Sequence, residues 1–341
     1  MYGKITTFDD EVYEGQIRWG KEEAYWTDMF NASKIGNENI DYLSDEDLKE
    51  LSKHKNYSNK RWDRWGDWFS RSGNDRYEDI ENSLIHQFSC QFGEIKRIDL
   101  SRWRKVEVVL KDDTKVRVSG DGYNDIGTEV IIYDNEKGKV ELDWSELLFV
   151  EFMEVPADFV SATGGPLYGT VHTRKGDFTG LVQWDKDERV ATDILDGRTK
   201  DRKRKIEFSE IESIEKFGKG CDVQLKNGRD VFLYGSNDVN SENRGIIVTN
   251  HEFGRVVIKW SDFERVSFHD EVKANVPAYA DFKAPKPISG VVRTKNGETL
   301  KGNIVYDLDE KYGFELLNGD QGKMEFQIPF RHIHKITPKH K

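Results

Sequence analysis

One pattern constrains this chain more than any other: three apolar residues, each three apart, occur five times. The copies are Phe92/Ile95/Ile98, Trp144/Leu147/Val150, Phe208/Ile211/Ile214, Trp260/Phe263/Val266 and Phe330/Ile333/Ile336. Each closes the same kind of segment, and self-similarity at a near-fixed period marks a repeat architecture. Three segments open alike, with Tyr2-Gly3-Lys4-Ile5-Thr6-Thr7, Tyr168-Gly169-Thr170-Val171-His172-Thr173 and Ser289-Gly290-Val291-Val292-Arg293-Thr294. Each passes through a turn (Asp9-Asp10, Lys175-Gly176, Asn296-Gly297) to a second glycine, Gly15, Gly180 or Gly302. A strand then ends in Trp19, Trp184 or Tyr306. The other two segments are a second type, running from Val108-Val109-Leu110 to Gly120 and from Val223-Gln224-Leu225 to Gly235. The order is pair, pair, single.

Short alternating apolar runs separated by Asn-Gly or Asp-Asp turns predict hairpins, because those turns need the positive φ that Asn, Asp and Gly tolerate. A glycine inside a strand marks a bend or bulge, and a spacing of three suits a single tight turn. The expected fold class is all-β, with five tandem small barrels of about fifty residues arranged as two pairs plus one. A lone unit of that size is marginal, so each is expected to lean on its neighbours. The boundaries fall at 1–99 with an insertion at 36–85, 103–153, 167–217, 220–269 and 288–338. Linkers are expected at 154–166 and 270–287, where Val155-Pro156-Ala157 and Val276-Pro277-Ala278 each follow a closing triplet.

The arrangement resembles the Sm-like family within the SH3-like small barrels. Leu225-Lys226-Asn227-Gly228 followed by Gly235, and Gly180 through Trp184-Asp185, are similar to pieces of the family's first half. Ile333-His334-Lys335-Ile336 is similar to its closing strand. The resemblance implies a small-barrel fold. It implies no RNA site here, since no segment carries both the loop Asp/Asn pair and the later Arg/Lys-Gly of that family.

A net charge of −11 argues against a general nucleic-acid surface, which needs cationic patches to displace counterions. The two cysteines, Cys90 and Cys221, exclude a disulfide framework and a cysteine zinc site. No transmembrane run or signal peptide is read, and strand-like sequence begins at Tyr2. That start fits either a cytoplasmic protein or an exported one whose signal peptide is absent from this sequence, so localisation stays open. No cofactor and no metal are expected.

Five features are weighed as candidate sites. In the insertion, Ser44 to Asp47 read as a capped helix start. Trp62, Arg64, Trp65, Trp68 and Phe69 follow, with Trp62, Trp65 and Phe69 on one helical face. They form either a packing stripe or a partner platform. The loop Gly235 to Gly245 carries Asn237, Asp238, Asn240, Asn243 and Arg244. It reads as self-capped turns rather than a calcium loop, with Arg244 pairing with Asp238 or Glu242. Arg198 to Lys205, including Arg202 and Arg204, reads as a solvated loop with an anion contact as the alternative. Acids after the strand-ending aromatic (Glu22, Glu23; Asp185, Asp187, Glu188; Asp307, Asp309, Glu310) read as a solvated hairpin rim. His332 and His334 lie two apart without a third metal ligand in view.

The function expected from this reading is non-enzymatic: a scaffold presenting loops and an aromatic insertion to a protein or polymer partner. A polyanion- or RNA-binding Sm-like protein is the first alternative, requiring Arg198–Lys205 to join Arg61, Arg64 and Arg71 in one patch. A hydrolase or metalloenzyme with a site between modules is the second.

Overall fold

The structure, a computed structural model, describes residues 1–36, 39, 42–44, 46–47, 87–102, 105–120, 122–272 and 276–338. Their regular elements are antiparallel strands and single turns of 3-10 helix, apart from Glu46 and Asp47, which are α-helical. The first segment forms β1 (Tyr2–Thr7), β2 (Val12–Trp19), β3 (Met29–Lys34), β4 (Gln87–Gln91) and β5 (Ile95–Arg102). The second forms β6 (Lys105–Leu110), β7 (Lys115–Ser119), β8 (Val130–Asp134), β9 (Gly138–Leu142) and β10 (Leu147–Phe152). The third forms β11 (Tyr168–Thr173), β12 (Gly176–Gln183), β13 (Ile194–Arg198), β14 (Lys203–Glu207) and β15 (Ile211–Phe217). The fourth forms β16 (Gly220–Leu225), β17 (Asp230–Tyr234), β18 (Ile246–Asn250), β19 (Gly254–Ile258) and β20 (Phe263–Phe268). The fifth forms β21 (Ser289–Arg293), β22 (Thr299–Asn303), β23 (Leu316–Gln321) and β24 (Met324–Pro329).

The closing triplets behave as their spacing requires. Phe92–Glu94, Trp144–Glu146, Phe208–Glu210 and Phe330–His332 are each one turn of 3-10 helix. In the first three the next strand starts at the second triplet residue, Ile95, Leu147 or Ile211. The third residues meet in pairs across neighbouring strands: Ile98 opposes Val150, and Ile214 opposes Val266.

Strand order shows what the sequence did not. The first sheet runs β4-β3-β7-β6-β5-β10-β1-β2-β8-β9. Exchanging each strand of the first segment for its counterpart in the second gives the same order read backwards. The second strand of one segment therefore pairs with the third strand of its neighbour, its first strand pairs with the neighbour's fifth, and the two fifth strands pair at the centre. The second sheet repeats this as β14-β13-β17-β16-β15-β20-β11-β12-β18-β19, then continues into β24-β23. The hairpin β21–β22 forms a separate two-stranded sheet. Neighbouring segments are thus interleaved, and the pairing does not show five separate closed barrels. The predicted helical insertion, with Trp62, Arg64, Trp65, Trp68 and Phe69, lies outside the described residues apart from a few at its start.

Two apolar cores follow from the two sheets. In the first, Trp19 is ringed by Phe92, Trp144 and Phe30, with centroids 5.4, 5.8 and 5.9 Å away. In the second, Trp184 meets Phe263 at 5.2 Å and Trp260 at 6.2 Å. The described residues of both linkers pack on the sheets. Gln16 Nε2 donates to Thr163 Oγ1 at 2.9 Å. In the second linker, Tyr279 packs on Trp26 at 4.6 Å and donates its hydroxyl to Ile95 O at 2.8 Å.

Candidate functional site

The most heavily built polar region begins at the aromatic that ends each opening hairpin. After it the chain doubles back, and Trp19 bridges Glu23, Trp184 bridges Glu188 and Tyr306 bridges Glu310. In the third segment this puts Asp185 and Lys186 at φ +48° and +65°, a left-handed conformation that costs L-residues roughly 1–2 kcal/mol each. Nine residues after each aromatic stands a carboxylate: Asp28, Asp193 and Glu315. Each caps the turn by accepting two backbone N–H bonds. Asp28 takes those of Ala24 and Tyr25 at 2.8 Å each, Asp193 those of Arg189 and Val190 at 2.6 and 2.9 Å, and Glu315 those of Lys311 and Tyr312 at 2.6 and 2.8 Å.

Each carboxylate also takes a cation from another segment. Arg189 donates to Asp28 at 3.0 and 2.8 Å with its side chain almost fully buried. Arg18 donates to Asp193 at 2.6 and 2.9 Å. Lys34 reaches Glu315 at 2.7 Å and Asp309 at 2.9 Å. The first and third segments therefore hold each other reciprocally, and the first also holds the fifth. Charge-assisted, bidentate bonds of this kind fix orientation. This repeated capping acid was missed in the sequence, although its fixed spacing from the aromatic was readable.

The loop 235–245 is anchored against the third segment. Asp238 O accepts the indole N–H of Trp184 at 2.9 Å, and its carboxylate accepts the Asp196 N–H at 2.6 Å. Asn237 and the Arg244 N–H both donate to the Asp185 carboxylate. The Arg244 guanidinium pairs with Asp187, lies 3.5 Å from Asp185 and lies 3.9 Å from Glu22. Its partners are therefore not the expected Asp238 and Glu242. Asn243 Oδ1 accepts the Gly245 N–H at 3.0 Å and Asn240 Oδ1 the Glu242 N–H at 2.7 Å, closing the self-capped turns expected of such residues.

The reading of the turn acids as a solvated rim is overturned for Asp185 and Glu23, whereas Asp307 is exposed as that reading expected. Asp185 is fully buried and Glu23 nearly so, because these turns face a neighbouring segment rather than water. Burial, reinforced by Asp238, Asp187 and Asp185, pushes the Glu188 carboxyl up to about 9. Burial likewise raises Asp125 to about 7 and Asp238 to about 6. Asp125 is the counterpart of Asp238 in the first sheet: its carbonyl accepts the Trp19 indole N–H at 2.8 Å.

The other predicted residues are dispersed. Arg202 and Arg204 belong to the β13–β14 hairpin at one end of the second sheet, with Arg202 exposed in its turn. Arg61, Arg64 and Arg71 lie outside the described residues. Cys90 and Cys221 are free and buried. Among the described residues, no group of three or more His, Cys, Asp or Glu is placed to hold a metal ion. No described helix is long and apolar enough to cross a membrane. A cleft of about 390 Å³ opens where the second linker and fifth segment meet both sheets, with Gln91, His251, Arg255, Phe282, Arg331 and His332 in its walls.

The fifth segment differs from the four before it. Among the described residues β21 pairs only with β22, and β22 only with β21. Val291, Val292, Leu300 and Ile336 are exposed on this unit, and among the described residues no strand follows Phe330–His332. No protein-family model, curated protein or solved structure matches the chain.

Proposed function

We propose that the chain is a non-enzymatic binding scaffold of interleaved Sm-like or SH3-like β-modules, and that its binding face is the open fifth segment. The observation that carries this reading is that Val292 and Leu300, opposite each other across β21 and β22, and Ile336 after β24 are exposed, beside strand edges that are unpaired among the described residues. Contiguous exposed apolar surface marks an interaction site, and an unpaired edge is a ready template for another strand. The buried charges elsewhere are engaged in holding segments together. The proposed partner is a protein, because free backbone edges and apolar side chains are satisfied by a strand.

The test compares tagged wild-type chain with a Val292→Asp/Leu300→Asp variant. Proteins retained from native extract, untagged copies of the chain included, should be lost with the variant while its near-ultraviolet circular dichroism is unchanged. Equal recovery by both would reject the fifth segment as the binding face. A second reading, small-ligand binding, is favoured by the cleft, whose polar walls include Arg255 and Arg331. It predicts thermal stabilisation by a small acidic ligand that Arg255→Met abolishes.

A further inference from the structure

We infer that the partner of the fifth segment is a second copy of this chain, with two fifth segments interleaving as the first does with the second and the third with the fourth. The inference rests on the binding-scaffold reading and specifies its partner. Among the described residues the fifth segment has no partner segment, and the structure shows twice how such a segment is completed.

Position by position, the fifth segment keeps the residues that pairing requires and lacks only the pairing. Ile336 is 41% exposed, whereas its counterparts Ile98, Val150, Ile214 and Val266 are at 0%. Val292 is 44% exposed against 0% for Ile5 and Val171, and Leu300 is 60% exposed against 7% for Tyr13. The glycines are more telling. A Cβ on Gly15 would lie 2.0 Å from Tyr133 O, and one on Gly180 would lie 2.4 Å from Thr249 O. Those oxygens belong to the neighbouring segment's strand, so glycine is what lets the two backbones approach. Gly302 holds the same position, yet nothing lies within 4 Å of where its Cβ would be. Gly290 repeats the case: its counterparts Gly3 and Gly169 meet Glu151 O at 2.1 Å and Ser267 O at 2.5 Å, while Gly290 meets only Ile304 of its own segment. Neither Gly302 nor Gly290 is needed for a positive φ. Both are fitted to a backbone that a partner would bring.

The partner must supply a third strand for β22 and a closing strand for β21 and the Ile336 stretch, in antiparallel register. A second fifth segment supplies β23 as the first, and its residues 333–338, which would become a strand on pairing, as the second. At the centre of each completed sheet the third triplet residues oppose each other, and the residue before each opposes the residue after the other, as Arg97 does Glu151 and Glu215 does Arg265. Applied to two copies, Ile336 opposes Ile336 on a two-fold axis and Lys335 opposes Thr337, so no like charges meet. Pro338 takes the place of Phe152 and Phe268, whose N–H faces the opposing closing strand because the next residue bonds the opening strand, so the central pairing of two copies forms without that bond on either side and rests on Ile336 and the flanks. At the flanks, Gly302 opposes Gln321 of the second copy and Ile304 opposes its Gly319, matching Ile17 opposite Ile132. Among the described residues β23 ends the second sheet with β24 on one side only, and Gln321 O accepts a bond from Lys175 Nζ at 3.2 Å that the pairing would have to replace. Such an interface is isologous and closes as a dimer.

The experiment is sedimentation velocity of the purified 341-residue protein across the micromolar range, with two cysteine variants under mild oxidation. The expected result is a species of twice the 39.6 kDa chain mass. Gly302→Val should reduce it to monomer without altering the circular dichroism of the remaining sheets. Ile336→Cys should form a covalent dimer, because directly opposed antiparallel residues lie about 4.5–5.5 Å apart, within disulfide reach. Lys335→Cys should not. A wild-type monomer at every concentration overturns the inference, as does an Ile336→Cys chain that cross-links no faster than Lys335→Cys. If that monomer still retains other proteins through Val292 and Leu300, the binding-scaffold reading survives and only self-pairing is removed.

Discussion

Arg189→Met tests the reciprocal clamp between the first and third segments most directly. Arg189 gives Asp28 Oδ1 two bonds, at 3.0 and 2.8 Å, and Val182 O one at 3.0 Å. Methionine replaces the aliphatic stem but leaves that carboxylate oxygen and that carbonyl without their donor. Asp28 Oδ2 keeps the Ala24 and Tyr25 N–H bonds, so the charge stays where it is rather than moving out to water. Breaking a buried pair from one side costs about 3–5 kcal/mol, a large share of the roughly 5–15 kcal/mol that holds a domain folded. Adding Asp28→Asn removes the stranded charge, and the double variant should lose about 2 kcal/mol less than the sum of the singles. The related Arg18→Met, at a more hydrated pair, should cost about 1–3 kcal/mol. The assay is urea unfolding followed by tryptophan fluorescence, read as a shift in midpoint. A loss under about 1 kcal/mol for Arg189→Met, the range of an exposed pair, or strict additivity in the double variant would refute the clamp.

Three further outcomes follow from the same geometry. Gly180→Val should destabilise by more than about 3 kcal/mol, since a Cβ there would meet Thr249 O at 2.4 Å and overpacking against backbone has little room to relax; a smaller shift in urea midpoint would contradict the pairing of β12 with β18. The Glu188 carboxyl, raised by burial to about 9, binds a proton in the folded state that the unfolded chain releases near its ordinary 4.5. Stability should therefore fall as pH rises between those two values, with a slope of up to about 1.4 kcal/mol for each step of one in pH. Glu188→Gln should flatten the slope and leave the variant the more stable protein at about pH 9; an unchanged slope sinks the assignment. Tyr279→Phe deletes the bond to Ile95 O, and should cost about 1 kcal/mol while raising amide exchange across residues 276–286; unaltered exchange would show that the linker does not depend on it.

The strands and their closing turns were legible because alternation and the spacing of three report which side chains are buried. The partner of each strand was not. Ile17 must be buried wherever β2 pairs, and nothing in its own segment says that the opposing residue is Ile132, far along the chain. The acids at 185–188 misled for the same reason. A carboxylate beside a turn reads as solvated until the neighbouring loop, here Asn237 and Arg244, is seen to cover it. The capping acids Asp28, Asp193 and Glu315 carried a real signal in their spacing from Trp19, Trp184 and Tyr306, but their cations Arg189, Arg18 and Lys34 come from other segments that only the fold brings near.

Interleaving also sets the order in which the chain can fold. The β1–β2 hairpin emerges from the ribosome early, yet the strand it must pair with, β8, begins at Val130. At typical synthesis rates that separation corresponds to roughly ten seconds. Throughout that interval the hairpin offers a bare edge and an apolar face, the condition under which strands capture wrong partners. The same delay recurs between β12 and β18. Each sheet can therefore complete only after both of its segments have been made, so folding should advance in two steps of paired segments rather than in smaller ones.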